Sequence, residues 1–194
     1  MTFVPDRDRV QLVPLSPAHV DHIMGWVNDR EVVGNLATFA GKPLSRDDEL
    51  AYIARMQASH EDRVFSIFSS SSSADGARYL GQCGIHQIFR RSGVGRVSIV
   101  VADRAEQGRG VGSAALARLL DTGFAPASEG GEGLHKLWLM CFATNERARR
   151  TYARLGFVQE GLLRDEYRHE DRWHDMVRMS VLASEWTGEA MRSR

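Results

Sequence analysis

The stretch at residues 96–124, RVSIVVADRAEQGRGVGSAALARLLDTGF, combines three local patterns in one continuous segment. Its β-branched apolar run at residues 97–101 predicts a buried strand. Three glycines follow within five residues, Gly108, Gly110 and Gly112, and an alanine- and leucine-rich pattern with helical spacing comes next. Because a glycine turn that opens a helix leaves backbone N–H groups unpaired, this stretch predicts a binding site for an anion such as the phosphate of a cofactor.

The glycine turn is compatible with more than one kind of phosphate site. Residues 107–118 contain two arginines and no carboxylate, which favours a negatively charged ligand. A Walker-type P-loop is excluded, because Gly112 is followed by Ser113 where that loop needs a lysine. A dinucleotide-binding fingerprint is formally present from Gly110 to Ala115, but the acidic residues that follow lie in a glycine-rich loop and not at a strand end. A glycine turn without a ligand is the remaining alternative.

Length and composition predict one domain. A chain of 194 residues can bury a full hydrophobic core, and we place the core of this domain at about residues 9–186. Hydrophobic residues make up 43% of the chain and charged residues 26%, which is ordinary for a globular protein. The formal net charge is zero, so we expect neither nucleic acid nor a membrane as a partner.

The cysteines and the first residues bear on cellular location. Cys83 and Cys141 lie far apart and outside any metal-binding spacing, so we expect two reduced thiols and no metal. The first residues lack a basic region followed by an apolar stretch, and no apolar run approaches the roughly 20 residues of a membrane span. The sequence therefore predicts a cytoplasmic protein.

Hydrophobic periodicity predicts four strands and two helices before the glycine turn, and a strand, a helix and a closing hairpin after its helix. The expected strands are residues 10–15, 64–68, 78–88, 97–101, 136–142 and the two arms of a hairpin at 161–182, with its turn near 169–173. The expected helices are residues 18–28, 45–59, and those that begin at 113 and 145, whereas 30–43 is expected to be irregular.

Four residues have types and spacings that are typical of helix ends. Ser45, with Asp48 three residues later, has the spacing of a capping box. Asn145 suits the N-cap of the helix that follows it. Gly156 occupies the place where a helix commonly ends in a left-handed residue.

Three segments together resemble one protein family. Residues 107–112, QGRGVG, resemble the Q/R-x-x-G-x-G/A acyl-CoA signature of the GNAT superfamily of N-acetyltransferases. Residues 145–157, NERARRTYARLGF, resemble the second motif of that superfamily, N-x-x-A/S-x-x-x-Y-x-x-x-G-F. Residues 26–32, WVNDREV, are similar to a segment of its ribosomal-protein alanine acetyltransferase-like branch, much of which polyamine and amino-sugar acetyltransferases share.

The resemblance implies an α+β fold and an enzyme. The expected fold is a central, largely antiparallel sheet of about six or seven strands, splayed between the strands 96–102 and 136–142 and flanked by about four helices. The implied reaction is the direct transfer of an acetyl group from acetyl-CoA to a primary amine, without a metal. Acetyl-CoA and the amine are the expected partners, and a homodimer remains open.

The resemblance places the cofactor at the glycine turn. Backbone N–H groups at the helix start would hold the diphosphate, and pantetheine would pair with the strand before the turn. Asn145 would touch the cofactor as well as cap its helix, and Arg150 would pair with a phosphate of CoA. The cofactor-binding residues that follow from the resemblance are Val101, Ala102, Gln107, Gly108, Arg109, Gly110, Val111, Gly112, Ser113, Asn145 and Arg150.

Tyr152 is the implied general acid, which would protonate the departing CoA thiolate. The general base is not defined by the resemblance, because many members of the branch carry a glutamate where this chain has Val97 and Ser98. His86 is the histidine candidate, since its side chain can titrate near neutral pH. Asp29 or Glu31, ordered water, or an amine that arrives already deprotonated are the alternatives.

The acceptor side is less defined. The resemblance places substrate contacts in the early helices, on Trp26, Asn28, Asp29 and Phe39, and in the last hairpin at residues 163–173. Both signs of charge occur there, so a protein N-terminus and an amino sugar stay open, a polyamine is an alternative, and an aminoglycoside ranks lower. A non-catalytic module that binds or senses acyl-CoA is the rival from another functional class.

Overall fold

The structure is a computed structural model that describes residues 5–34, 36, 43–70, 76–169 and 171–188. Seven strands form one sheet in this part of the chain: β1 (Val10–Pro14), β2 (Arg63–Ser69), β3 (Tyr79–Phe89), β4 (Val94–Val101), β5 (Lys136–Phe142), β6 (Val158–His169) and β7 (Arg172–Leu182). Their order across the sheet is β1-β2-β3-β4-β5-β7-β6. Neighbouring strands are antiparallel except β4 and β5, which are parallel.

Five α-helices accompany the sheet within the described ranges: α1 (Val20–Met24), α2 (Arg30–Val33), α3 (Arg46–Ala58), α4 (Val111–Phe124) and α5 (Glu146–Arg154). None of these helices is both long and apolar enough to cross a membrane. The mixed fold with a mostly antiparallel sheet confirms the predicted fold class.

The predicted helix at residues 18–28 is wrong in its length. A single 3₁₀ turn, Pro17–His19, comes first, and α1 then ends before Gly25. Residues 25–28 continue as turns, in which the amides of Trp26 and Val27 both donate to the carbonyl of Ile23, over 3.0 and 2.9 Å. The expectation of an irregular segment after Arg30 is also wrong at its start, where α2 forms.

The two faces of the sheet carry separate hydrophobic cores. Alternation along β4 shows this directly, because successive side chains of a strand point to opposite faces. Ile99 and Val101 pack against the core beneath α4, whereas Val100 and the following Ala102 pack against the core beneath α1–α3. The sheet therefore lies between α1–α3 on one side and α4 on the other.

The predicted helix ends are confirmed. Ser45 and Asp48 form a reciprocal capping box at the start of α3. Oδ1 of Asn145 accepts a hydrogen bond of 3.1 Å from the amide of Ala148 at the start of α5. Gly156 has a φ of 89°, in the left-handed region where glycine is favoured.

The sheet splays where the resemblance placed the opening. β4 and β5 pair at only three positions, and their register ends with Arg96 opposite Trp138. Beyond that pair, β4 continues beside β3 while β5 continues beside β7. The two strands therefore diverge from a common end and leave one edge of β4 open.

Candidate active site

A continuous cleft occupies the opening between β4 and β5. Its walls come from β3, β4, β5, the glycine turn and helices α2 to α5. The charged side chains at the end formed by the glycine turn and α5 are all arginines, namely Arg109, Arg147, Arg150 and Arg154. At the other end, beside α2 and α3, acids and arginines both line the cleft. The two ends therefore differ in electrostatic character.

The glycine turn presents its amides to the arginine end. Gly110 is the N-cap of α4 with a φ of 94°, and no side chain caps this helix. A Cβ at Gly110 would meet nothing within 4 Å, so the turn is open to the cleft. Within the described residues, the amides of Gly110, Gly112 and Ser113 have no hydrogen-bond acceptor. Uncapped N–H groups at a helix N-terminus fit the diphosphate of CoA.

Arg147 extends this positive site. Its Nη2 lies 3.1 Å from the position that a Cβ on Gly108 would take, so the guanidinium covers the turn at a residue with a φ of 82°. Arg150, the arginine that the sequence singled out, also lines the cleft but pairs with Glu146 over 2.9 Å. Arg147 is thus placed more directly over the turn than Arg150.

The open edge of β4 offers backbone groups along the cleft. The amide of Ala102 donates to the carbonyl of Leu80 over 2.8 Å, so Ala102 faces β3. Because hydrogen-bonding direction alternates along a strand, the backbone groups of Ile99 and Val101 face the opening. The carbonyl of Val101 already accepts a 3.0 Å hydrogen bond from the side chain of Gln107. The expectation for Ala102 is therefore corrected, because its amide is occupied and Ile99 takes the outward-facing place.

Two of the predicted cofactor residues have side chains that serve the fold. The side chain of Val111 is fully buried in the core beneath α4, so only its backbone can serve a ligand. Asn145 lines the cleft while its side-chain oxygen caps α5. Its cap role is thus established, and its amide nitrogen stays available for a ligand.

Tyr152, on α5, lines the cleft and packs against the core beneath α4. Its ring packs against Phe157, with ring centroids 5.9 Å apart. Burial raises the pKa of Tyr152, and the nearby Cys141 raises it further, so the phenol stays protonated at neutral pH. Its hydroxyl has no hydrogen-bond partner in the described part of the chain. A protonated, unpaired hydroxyl facing a cleft can donate a proton to a ligand.

His86 lies between an acid and a hydroxyl. Its Nδ1 is 2.9 Å from Oδ1 of Asp62, and its Nε2 is 2.8 Å from Oγ of Ser98. All three residues line the cleft on the sheet face that carries α1–α3. Ser98 is itself exposed to the cleft. The structure therefore brings the histidine candidate together with the position where the family branch commonly has a glutamate.

The residues of the segment 26–32 have structural contacts. Trp26 is only 5% exposed, and its indole N–H donates to the hydroxyl of Tyr79. The side-chain amide of Asn28 makes two hydrogen bonds with the backbone of Leu44, of 2.9 and 2.8 Å. Trp26 and Asn28 both border the cleft, so they shape its wall.

Of the two further substrate candidates, Asp29 does not line the cleft. The side chain of Asp29 accepts from the amide of Glu31 and caps α2, and Asp29 is not among the cleft-lining residues. Phe39 lies outside the described residues. Among the base candidates, Glu31 borders the cleft and forms an ion pair with Arg104.

Glu49 is a buried acid at the end of the cleft beside α2 and α3. It is 5% exposed, borders the cleft on the same side as Trp26, and forms no ion pair with any described residue. Burial raises the pKa of Glu49, and the neighbouring charge of Asp48 raises it further. A buried carboxylate without a cation gains stabilisation when a cationic ligand binds beside it.

Sequence reasoning did not single out Asp62, Glu49 or Arg147 as site residues. Asp62 and His86 are 24 residues apart on different elements, so no local spacing connects them. Glu49 follows Asp48 in a helical first turn, where acids are common for capping reasons. Arg147 is one of several arginines on α5, and its sequence position does not distinguish it from the others.

Comparison with solved structures supports the fold. The crystal structure of spermidine N-acetyltransferase from Vibrio cholerae in complex with CoA and spermine superposes with a TM-score of 0.79. The match covers 91% of this chain and 97% of that chain, at 23% sequence identity. At this level of identity, the likeness concerns the fold.

Two relatives match part of the sequence. YdaF of Bacillus subtilis (strain 168), provisionally named a ribosomal N-acetyltransferase, is 28% identical over 109 residues, 56% of either chain. The spermidine N(1)-acetyltransferase of Vibrio cholerae is 33% identical over 88 residues, 45% of this chain and 47% of that protein. The chain thus spans about half the length of these two relatives.

The family profile described as "Acetyltransferase (GNAT) domain" matches residues 9–158, which is more than half of the chain and includes both the glycine turn and Tyr152. Together with the splayed sheet and the uncapped N-terminus of α4, this match shows that the chain belongs to the GNAT acetyltransferase family.

Proposed function

We propose that this protein transfers an acetyl group from acetyl-CoA to a primary amine by direct attack. The observation that carries the proposal is the placement of the protonated, unpaired hydroxyl of Tyr152 in a cleft that ends at the uncapped N-terminus of α4. One end of the cleft would thus hold an anionic cofactor, and the Tyr152 hydroxyl would supply a proton.

The residues at the arginine end would hold the cofactor. The free amides of Gly110, Gly112 and Ser113 would bind the diphosphate, with Arg147 adding positive charge above the turn. The outward-facing backbone groups of Ile99 and Val101 would orient the pantetheine arm. Acetyl-CoA supplies an acyl group that is activated as a thioester. Tyr152 would give its proton to the departing thiolate.

A polyamine is the second, more specific candidate for the acceptor. Glu49 favours it, because a buried carboxylate without an ion pair among the described residues suits a second ammonium group of the same substrate. One relative and one structural neighbour are named as spermidine acetyltransferases, which agrees with this choice. A protein N-terminus and an amino sugar remain acceptors to test beside it.

Thiol release from acetyl-CoA, measured with a panel of amines, tests the proposal. The panel contains spermidine, a peptide with an N-terminal alanine or serine, and an amino sugar. We expect CoA release that depends on at least one of these amines. CoA binding without release with any amine of a broadened panel would contradict the enzyme proposal and favour a module that only binds or senses acyl-CoA.

A further inference from the structure

We propose that Asp62, His86 and Ser98 form a proton relay that deprotonates the acceptor amine, with the Ser98 hydroxyl as the group that contacts the nitrogen. The inference rests on the proposed acetyl transfer and supplies the base that the reaction needs. It assigns Ser98 as a catalytic residue, and His86 and Asp62 as residues that act through it.

Asp62 is held in place by several donors. Its Oδ2 accepts a 2.6 Å hydrogen bond from Oγ of Ser59, and its Oδ1 faces Nδ1 of His86 at 2.9 Å. Burial acts to raise the pKa of Asp62, but hydrogen bonds from Ser59, from His86 and from the backbone of Gln87 bring it below its ordinary value. Asp62 is therefore ionised at neutral pH.

The ionised acid fixes the tautomer of His86. A carboxylate can only accept hydrogen bonds, so Nδ1 of His86 carries a proton and donates it to Asp62. Nε2 of the neutral ring then has a free electron pair, and it accepts from the hydroxyl of Ser98 over 2.8 Å. The three side chains are thus aligned to move a proton from the cleft towards the acid.

Burial and the neighbouring charges together keep the His86 ring neutral before the reaction. Burial lowers the pKa of His86, Asp62 partly offsets this through its hydrogen bond and charge, and Arg96 lowers it further. Asp62 faces the ring from the loop before β2, and Arg96 faces it from β4.

The strand pairing explains how the imidazole reaches Ser98. Gly84 lies directly opposite Ser98 in the β3–β4 ladder. A Cβ on Gly84 would lie 2.9 Å from Nε2 of His86, so glycine leaves the space that the ring occupies. Immediately after His86, the register shifts and Gln87 adopts a φ of 52°, a conformation that is uncommon for a residue with a side chain.

The same ladder favours a relay over a serine nucleophile. In one common arrangement, a nucleophilic serine lends its own amide to the developing oxyanion. Ala102 donates to Leu80 across the β3–β4 ladder, so by alternation the amide of Ser98 also points towards β3 and Gly84. That amide is therefore turned away from the opening, whereas the Ser98 side chain lines the cleft.

The acceptor nitrogen loses two protons during the reaction, one through the relay and one to Tyr152. Ser98 accepts one proton from the ammonium group as its own hydroxyl proton passes to Nε2 of His86, and the resulting imidazolium is stabilised by Asp62. The neutral nitrogen then forms the C–N bond while the C–S bond breaks. Tyr152 protonates the thiolate, and the second proton released by the nitrogen restores the phenol. His86 returns its proton to solvent, so one proton is released per turnover.

Acceptor amines of different basicity test the relay. The best acceptor of the panel is compared with an analogue carrying fluorine atoms next to the nitrogen, which is largely neutral at neutral pH and needs no base for its first proton. We expect His86→Gln and Ser98→Ala to lower kcat/KM about 10²-fold for the basic amine but less than about 3-fold for the fluorinated one. Ser98→Thr keeps the hydroxyl and retains activity, and Asp62→Asn, which misdirects the tautomer, behaves like His86→Gln.

His60→Gln and Ser92→Ala, which change an exposed histidine and an exposed serine outside the cleft, serve as matched controls and are expected to leave kcat/KM unchanged. Equal losses for both amines in the relay variants, with an active wild type, would overturn the relay and leave acetyl transfer intact. An acetyl group found on Ser98 by intact mass spectrometry of quenched enzyme would also overturn it. No acetylation of any amine by the wild type would instead contradict the proposed function.

Discussion

Nε2 of His86 lies 2.8 Å from Oγ of Ser98, across two neighbouring strands and above a glycine that leaves room for the ring. This contact bears on the missing general base, because Ser98 is one of the two positions, with Val97, at which the family resemblance leads us to expect a glutamate. A serine cannot act as a base by itself, but its hydroxyl can pass a proton to an imidazole behind it. We therefore propose that the two side chains together remove the proton from the amine, as a carboxylate on this strand would do.

Tyr152→Phe is expected to separate chemistry from folding. Since the Tyr152 hydroxyl has no partner among the described residues, its loss should leave the free energy of unfolding unchanged. Loss of the proton donor should lower kcat about 10²-fold with little change in KM. Steady-state kinetics and chemical denaturation of the same preparations check both expectations. An unchanged kcat would remove Tyr152 from the mechanism.

Arg147→Ala is expected to weaken CoA binding. A charge-assisted hydrogen bond to a phosphate supports a loss of about 10-fold in affinity. Because Arg147 is exposed, the difference from wild type should shrink at high ionic strength. Isothermal titration with CoA at two salt concentrations measures this, with Arg91→Ala as the control for loss of an exposed charge outside the cleft. Equal affinity of the two variants would show that Arg147 does not contact the cofactor.

Glu49→Gln should discriminate between kinds of acceptor. If Glu49 binds a second ammonium group, KM for spermidine should rise at least about 10-fold, while KM for a monoamine stays the same. Asp47→Asn, an exposed acid on the same helix turn, is the matched control. Equal KM values for spermidine in wild type and Glu49→Gln would exclude this role.

The pH dependence of spermidine binding carries a related expectation. Because burial and Asp48 raise the pKa of Glu49, this acid takes up a proton at a higher pH than an ordinary glutamate. Affinity for the diamine should therefore weaken as the pH falls, and it should weaken less in Glu49→Gln.

Asp62 should also affect stability in acid. Its folded pKa lies below the ordinary value, so the stabilisation is present above the ordinary carboxyl pKa of about 4 and is lost as pH falls through the lower folded value. The lowered pKa of His86 acts in the same direction, from about pH 6.5 downwards. We expect Asp62→Asn to reduce the free energy of unfolding by about 1–3 kcal/mol at neutral pH, and the difference should disappear in acid. Denaturation across a pH series tests this, and a constant difference would contradict it.

The glycine turn and the capped helix, where we propose that the cofactor binds, could be predicted from the sequence because their parts are local. The glycine turn is contiguous with the strand and helix that flank it, and the second segment at 145–157 lies within one helix and its cap. Local turn chemistry therefore determines both structures. The residues of β4 that face the opening could not be predicted, since a strand's hydrogen-bonding side depends on its register with β3, where the amide of Ala102 donates to Leu80.

The part of the cleft where we propose that the acceptor amine binds could not be predicted in the same way. Asp62, His86 and Ser98 lie on three elements, and only the register of the β3–β4 ladder brings them together. Trp26 and Asn28 were expected to contact substrate, yet their clearest contacts are with Tyr79 and Leu44, which stabilise the wall of the cleft. The segment 26–32 is thus related to the site through the wall of the cleft that it stabilises.

The stoichiometry of a single reaction is the most direct test of acetyl transfer from acetyl-CoA to an amine. Enzyme, acetyl-CoA and the best amine of the panel are incubated together, and free CoA and acetylated amine are quantified by mass spectrometry in the same sample. We predict one acetylated amine for each CoA released, with both signals reduced together in Tyr152→Phe. CoA released without acetylated amine, or no release with any amine, would contradict it.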